Sequence, residues 1–579
     1  MDRTFERSTR RRRRTLDGQW EFVTDPEDEG REAGYAESFP SADADTVPVP
    51  CSWNALSEYA EYVGPAWYRR TFSLPESTAA AFTFQGVGQD ATVYLDGEEI
   101  FSHAGGYTPF STYVRDLDAG EHELVVRADN RPNEAALVHG GTDWFPHGGI
   151  HREVVVEEIS GPWVSDLDVE YELDGDDATV DVSVTVHNIS ATPSEGHLVV
   201  SIGDATGTAE VQVGGLNVAQ ERFELAVEDI DRWSPEDPTL YDLVVAVSDD
   251  GAGGDDLRER IGFREVEVDG REVLLNGESV TLAGVNREEF HPDWGHAEPL
   301  RVQQGDVEAI ADAGFNTVRS ARYPLHPRFL DLCDEAGILV VEGITPHEAD
   351  TDWEVEEPPG LFENVDEEEL EPVEEVDDPT GEARRIATEM VQHDASHPSV
   401  VAWDLGNSAA SPGAGIQEAL AQLRESVTGL DDSRLVTASC RLDHVDESSA
   451  VLEHSDLVCV DADRRARRDW AETLDGLRGE VDDKPVVVSE FGVEGVPGDR
   501  SLAGRRESES HQATHLTEAV DAFLESDDVA GFAVRQFTDT LAGTRPAAPV
   551  RATDYSGILT GHRQPKAAYD ALRRRLDEQ

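Results

Sequence analysis

Apolar positions follow two regimes along this chain, and the change comes near Gly262. Before it, short runs alternate apolar and polar residues: TVYLDG, ELVVRAD and HREVVVEE up to about residue 160, then ATVDVSVTVHN, HLVVSI and YDLVVAVS up to Ile261. A period of two between Gly, Asp and Pro turns predicts half-buried strands packed as sandwiches. The second stretch, about 100 residues long, fits an immunoglobulin-like sandwich and carries no site chemistry. After Gly262 the apolar runs become continuous and alternate with helical periodicity, as in VQQGDVEAIADAG and HPRFLDLCDEAG. Eight such runs are predicted as strands: 280–286, 316–321, 338–343, 400–407, 435–439, 456–462, 486–492 and 531–537. Strands buried on both faces and separated by helices over about 300 residues predict a (β/α)8 TIM barrel. The expected organisation is a β-sandwich at 1–160, an immunoglobulin-like β-sandwich at 161–262 and the barrel at 263–579. The acidic, proline-containing stretch from His347 to Thr380 reads as a solvated loop above the third barrel strand.

The most informative run is KPVVVSEFGVEG, Lys484 to Gly495. A carboxylate, Glu490, stands where a buried strand stops. In a parallel barrel the C-terminal ends of the strands carry the chemistry, so Glu490 could be a nucleophile in glycoside hydrolysis. Alternatively it caps the next loop. The aromatics of the first segment (Trp20, Trp53, Trp67, Tyr68, Tyr107, Trp144, Phe145) could stack on sugar rings, but in a sandwich they belong more often to the core.

Charge narrows the partners. The chain has 47 Lys+Arg against 121 Asp+Glu, a net charge of −74. Such a field repels nucleic acid and anionic membranes. The arginine run Arg10–Arg14 is a weak counter-argument, set against a strongly negative remainder. Lysine occurs only at Lys484 and Lys566. The excess of acid with arginine as the main cation is similar to the proteins of salt-in halophiles. The four cysteines show no metal spacing, and Cys333 and Cys459 lie in apolar contexts. No run of 18 apolar residues occurs, and no apolar segment follows the arginine run. The expectation is a cytoplasmic protein with no metal and no cofactor, and the sequence is silent on oligomeric state.

Longer motifs carry a resemblance to glycoside hydrolase family 2, the family of β-galactosidases, β-glucuronidases and β-mannosidases. They are LDGQWEF, GPAWYRRTF and WFPHGGIHREVVVE in the first segment, IGFREVEVDGREVLLNGESVTLAGVNRE at the join, then NTVRSARYPLHPRFLDLCDEAGILVV, HPSVVAWDLGNS, KPVVVSEFG, GFAVRQFTDT and GILTGHRQPKAA. The resemblance implies a jelly-roll, sugar-binding-like first sandwich, a carbohydrate substrate or ligand, and a retaining mechanism with two carboxylates. It places the nucleophile at Glu490, with Arg319 and Asn407 positioning it and the sugar. The general acid/base would follow that Asn, where this chain has Ser408 instead of Glu. A serine hydroxyl has a pKa too far from neutrality to give a proton usefully.

Other positions depart from the family pattern too. Glu288 and Arg322 replace two histidines after the first and second strands, Asp463 replaces a tyrosine after the sixth, and Arg535 replaces a tryptophan on the eighth. The Asn-x-Lys pair of glucuronidases would fall at Asp554 and Ser556 and is absent. Glu288 and Arg322 are expected to pair, and Asp463 and Arg535 to contact Glu490. Either the pocket is rebuilt for another substrate, with Glu288, Asp404 or Glu342 facing the mouth as a displaced acid, or salt bridges plug a site that only binds.

Overall fold

The computed structural model describes residues 2–131, 145–159, 161–249, 254–320, 322–344, 379–406, 414–462, 469–481, 483–501, 505–542 and 552–577. The first sandwich packs a four-stranded sheet against a six-stranded one. Its aromatics are packed inside: Trp20, Trp53 and Tyr68 fill the space between the sheets, Trp67 packs with Tyr94 and Val125 in a separate cluster, and all four are at most 1% exposed. That settles them as core rather than sugar platforms. The second sandwich pairs Pro162–Asp174, Asp177–Asn188 and Val218–Val227 in one sheet, with four strands between Ser194 and Ile261 in the other. Along Asp177–Asn188 the predicted alternation is realised, with Val180, Val182, Val184 and Val186 buried.

The third unit is a closed barrel of eight parallel strands. We number them β1 (Leu282–Asn286), β2 (Thr317–Arg319), β3 (Leu339–Gly343), β4 (Val400–Asp404), β5 (Leu435–Arg441), β6 (Leu457–Asp461), β7 (Val486–Phe491) and β8 (Gly531–Val534). Each lies within or overlaps a predicted run. Both faces are apolar for different reasons. Leu339, Val341, Leu457, Cys459 and Val487 fill the barrel interior. Val340, Val458, Val488 and Phe532 pack outward against the helices. The stretch 345–378, most of the predicted solvated loop, lies outside the described residues; Pro379–Asp394, which follows, is a helix. Among the described residues no helix is long and apolar enough to cross a membrane. All four cysteines are buried and unpaired.

Residues 2–14 tie the three units together. Arg3, 7% exposed, chelates Asp331 on the helix Pro327–Ala336 through Nε at 3.0 Å and Nη2 at 2.8 Å, and reaches Glu259 of the second sandwich at 3.3 Å. Ser8 and Thr9 donate to Asp256. Four side chains of the arginine run are engaged inside the chain: Arg11 with Asp255 and Glu157, Arg12 and Arg14 with Glu158, Arg13 with Asp2. Asp331, Asp334 and His397 form the one cluster of metal-ligand type among the described residues. Arg3 already supplies a cation to Asp331, and Asp334 accepts from Ser399 N at 3.0 Å and pairs with His397. Removing one partner of a buried ion pair leaves an uncompensated charge, at a cost of about 3–5 kcal/mol. Arg3→Ala is therefore expected to lower stability by about that amount in urea unfolding at fixed salt. A change of a few tenths of a kcal/mol would show the N-terminal clasp to be ornamental.

Candidate active site

Alternation along the barrel strands decides which side chains reach the mouth. On β6, Leu457 and Cys459 point inward, so Asp461 does too. On β2 and β8, Val318 and Val534 pack outward, which turns Arg319 and Arg535 inward. On β7 the simple period would send Glu490 outward with Val486 and Val488. The pairing register of β7 shifts, however, between Val488 and Phe491 against β8, and a matching shift precedes Asp461 on β6. A bulge of this kind re-aims a side chain, and it delivers Glu490 into the mouth while Phe491 returns to the helical shell.

Glu490 is 8% exposed and held by two guanidiniums. Arg535 Nη1 donates to Oε2 at 2.6 Å, and Arg319 Nη1 lies 3.8 Å from Oε1. Arg319 is itself fixed by Asp404, with Nε at 2.8 Å and Nη2 at 2.7 Å from Oδ2, and by Asn286 Oδ1 at 3.1 Å. Asn286 in turn donates to Ser489 O at 2.7 Å, which pins the bulge. Asp461 accepts from Ser489 Oγ at 2.6 Å and Ser439 Oγ at 2.8 Å. Burial, and then the charge of Glu490, push the Asp461 carboxyl above its usual range. Arg535 Nη2 reaches Asp554 Oδ2 at 3.5 Å, and Asp554 also accepts from Ser556 N at 2.8 Å. The mouth is thus a ring of alternating charge, in which each of these carboxyls already accepts from a guanidinium or hydroxyl.

Glu288 and Arg322 lie at the rim, Nε to Oε1 at 2.7 Å, both nearly buried. The swap of two neutral side chains for opposite charges on neighbouring strand ends does create an ion pair. Arg535 contacts Glu490 as expected. Asn407, Ser408 and Asp463 lie outside the described residues. Asp461 and Asn286 were missed by the sequence reading; Asp461 follows by counting in twos from Leu457 and Cys459 only once packing shows that these face inward.

Glu342 corrects an expectation. It does not face the mouth: Val341 takes the interior, so Glu342 turns out toward the helices with Val340. It is fully buried, with Oε1 on Leu325 N at 2.8 Å and Oε2 without a hydrogen-bond partner. Its electrostatic neighbour is Asp394, whose Oδ1 also lacks a partner. Burial pushes Asp394 up to about 7. The folded protein then keeps a proton there that the unfolded chain releases above about pH 4. Stability from this site is therefore expected to fall as pH rises from about 4 to 7 and to level off above. Asp394→Asn should flatten that decline, so that its thermal midpoint gains on the wild type at pH 8 relative to pH 4.5. An unchanged difference across that range would refute the account of a proton retained at Asp394.

Comparison with known proteins matches all three units of the fold. Residues 266–578 match the TIM barrel domain of glycosyl hydrolases family 2, residues 163–264 the model described as glycosyl hydrolases family 2, and residues 13–159 the family 2 sugar binding domain. A β-glucuronidase of Paenibacillus borealis is 26% identical over 97% of this chain and 96% of its own length. A β-galactosidase of Thermoanaerobacter pseudethanolicus is 28% identical over 59% of this chain, which spans 44% of that longer protein. Among solved structures, a family 2 β-galacturonidase of Eisenbergiella tayi bound to galacturonate superposes with a TM-score of 0.85 at 26% identity, covering 100% of this chain and 99% of its own. With all three of its units matched in order, the chain belongs to glycoside hydrolase family 2.

Proposed function

We propose that the protein acts on β-glycosides, β-galactosidase-like, by a retaining route in which Glu490 is the nucleophile and the family's proton donor is missing at Ser408. The observation that carries this reading is the Glu490 carboxylate, turned into the barrel mouth by the β7 bulge and kept between Arg319 and Arg535. Two cations favour the ionised form a nucleophile needs. The anomeric carbon would be attacked by the oxygen nearer Arg319, since Arg535 holds the other at 2.6 Å. Among the described residues, Asp404, Asp461, Glu288 and Asp554 are all engaged by guanidinium or hydroxyl donors. None of them is placed here as a substitute acid. Leaving-group departure then depends on the substrate's own chemistry.

A second reading is favoured by one contact. A guanidinium at 2.6 Å from the nucleophile also blunts it, and the protein would then bind saccharides without cleaving them. Intact-protein mass spectrometry separates the two. After incubation with dinitrophenyl β-glycosides of several sugars, the glycosidase reading expects a glycosyl mass added to the wild type and none to Glu490→Gln. No adduct with any sugar, together with measurable saccharide binding, supports the binding protein.

A further inference from the structure

The Glu288–Arg322 pair sits on two loops that are joined from outside the barrel. Arg152 belongs to the first sandwich, just ahead of its strand Val154–Ile159, and is 1% exposed. Its Nη2 donates to both carboxylate oxygens of Glu289 at 3.1 Å and to Pro324 O at 2.9 Å, while Nη1 donates to Tyr107 O at 2.6 Å. One guanidinium therefore grips the residue after Glu288 and the residue two beyond Arg322. The Tyr107 ring, also from the sandwich, stacks on Tyr323 at 3.7 Å between centroids and 7° between planes. Tyr323 Oη accepts from Glu289 N at 3.1 Å, and Glu289 accepts again from His326 N at 2.7 Å. Both loops are thus fastened to each other through groups on the sandwich.

Apolar packing could hold two domains together as firmly, because burying an ion pair carries a desolvation cost that its Coulomb attraction only offsets. What a planar fork of donors adds is angle and distance. We propose that Arg152, seconded by Tyr107, is a positioning residue of the barrel mouth: through Glu289 and Pro324 it sets the separation of Glu288 and Arg322. The sandwich then frames the sugar-facing rim in addition to any contact it makes with a ligand. The inference rests on the glycoside reading of the mouth given above.

Arg152→Lys tests it, since lysine keeps the charge for Glu289 but cannot fork to Pro324. The variant is made in the wild-type and in the Glu288→Gln backgrounds. Glycosyl-enzyme formation from a dinitrophenyl glycoside is timed by mass spectrometry, and crystal structures give the rim distance. In the wild-type background the rate is expected to fall about tenfold or more, with Glu288 and Arg322 separated beyond about 4 Å. In Glu288→Gln, where the positioned pair is already gone, the further loss should stay under about twofold. Equal losses in both backgrounds with the pair unmoved would overturn the proposal and leave Arg152 a scaffold residue. Should the wild type form no adduct with any sugar, the proposed function fails separately. The rim distance in Arg152→Lys then decides alone: a broken pair supports positioning, and an intact one refutes it.

Discussion

Dinitrophenyl glycosides are expected to react with this protein far faster than alkyl glycosides or disaccharides of the same sugar. Protonating the leaving oxygen is worth roughly 10²–10⁴-fold, and a phenolate that departs as a stable anion needs none of it. Position 408 is a serine, and the described carboxyls of the mouth are engaged with Arg319, Arg322, Arg535 and the serines of β5 and β7. The second step should suffer the same lack, because the described carboxyls offer water no free base, so the Glu490 ester should accumulate. Azide is already an anion and should release the sugar as a β-glycosyl azide. Ser408→Glu alone should restore little, since Arg535 still sits on Glu490 at 2.6 Å and Asp463 still replaces the family's tyrosine. Rates against leaving-group pKa, with and without azide, check this directly. Brisk hydrolysis of unactivated β-glycosides that ignores azide would mean that another group supplies the proton.

The barrel was legible because its strands are apolar on both faces, a demand that leaves continuous runs in the sequence. Glu490, Arg319, Arg535 and the Glu288–Arg322 pair were legible because each interrupts such a run or departs from a family motif. What escaped is physical in origin. Glu342 sits in a run, ILVVEG, that is correctly a strand, yet only the alternation of its neighbours tells inside from outside, and that phase is set by packing. The β7 bulge leaves no mark in VVVSEFG, although it alone brings Glu490 round to the mouth. Arg3, Arg11 and Arg152 find their partners far along the chain, at Asp331, Asp255 and Glu289. No local period encodes such a contact, and a run of arginines read locally is only a charged surface. For that reason the clasp that joins the domains was the least visible part of the chain.

Folding is expected to require molar salt. A net charge of −74 on 579 residues repels itself across the whole surface, and the repulsion shortens in range only as the Debye length falls from about 10 Å at 0.1 M to about 3 Å at 1 M. Little positive charge is available to relieve it internally. Lys566 is fully buried on Asp539, and Lys484 is used on the carbonyls of Leu452 and Ser455. Arg3, Arg152, Arg287 and Arg319 are buried in pairs of their own. This division matters for the direction of the salt effect. Exposed pairs such as Arg12–Glu76 weaken on screening, but they contribute about 0–1 kcal/mol each at best. Buried pairs are screened much less. Salt therefore removes the long-range repulsion and leaves the internal clasp in place, and the thermal midpoint should climb steeply from 0.1 to 1 M KCl. Any further rise toward 3 M would have to come from ion exclusion and hydration of the carboxylates, because screening is nearly complete by then. Melts in KCl and in a matched series of sucrose separate the two, since sucrose strengthens burial without screening. A midpoint that stays flat or falls between low salt and 2 M KCl would sink the halophilic reading and require that the acidic surface be stabilised by contacts outside the chain.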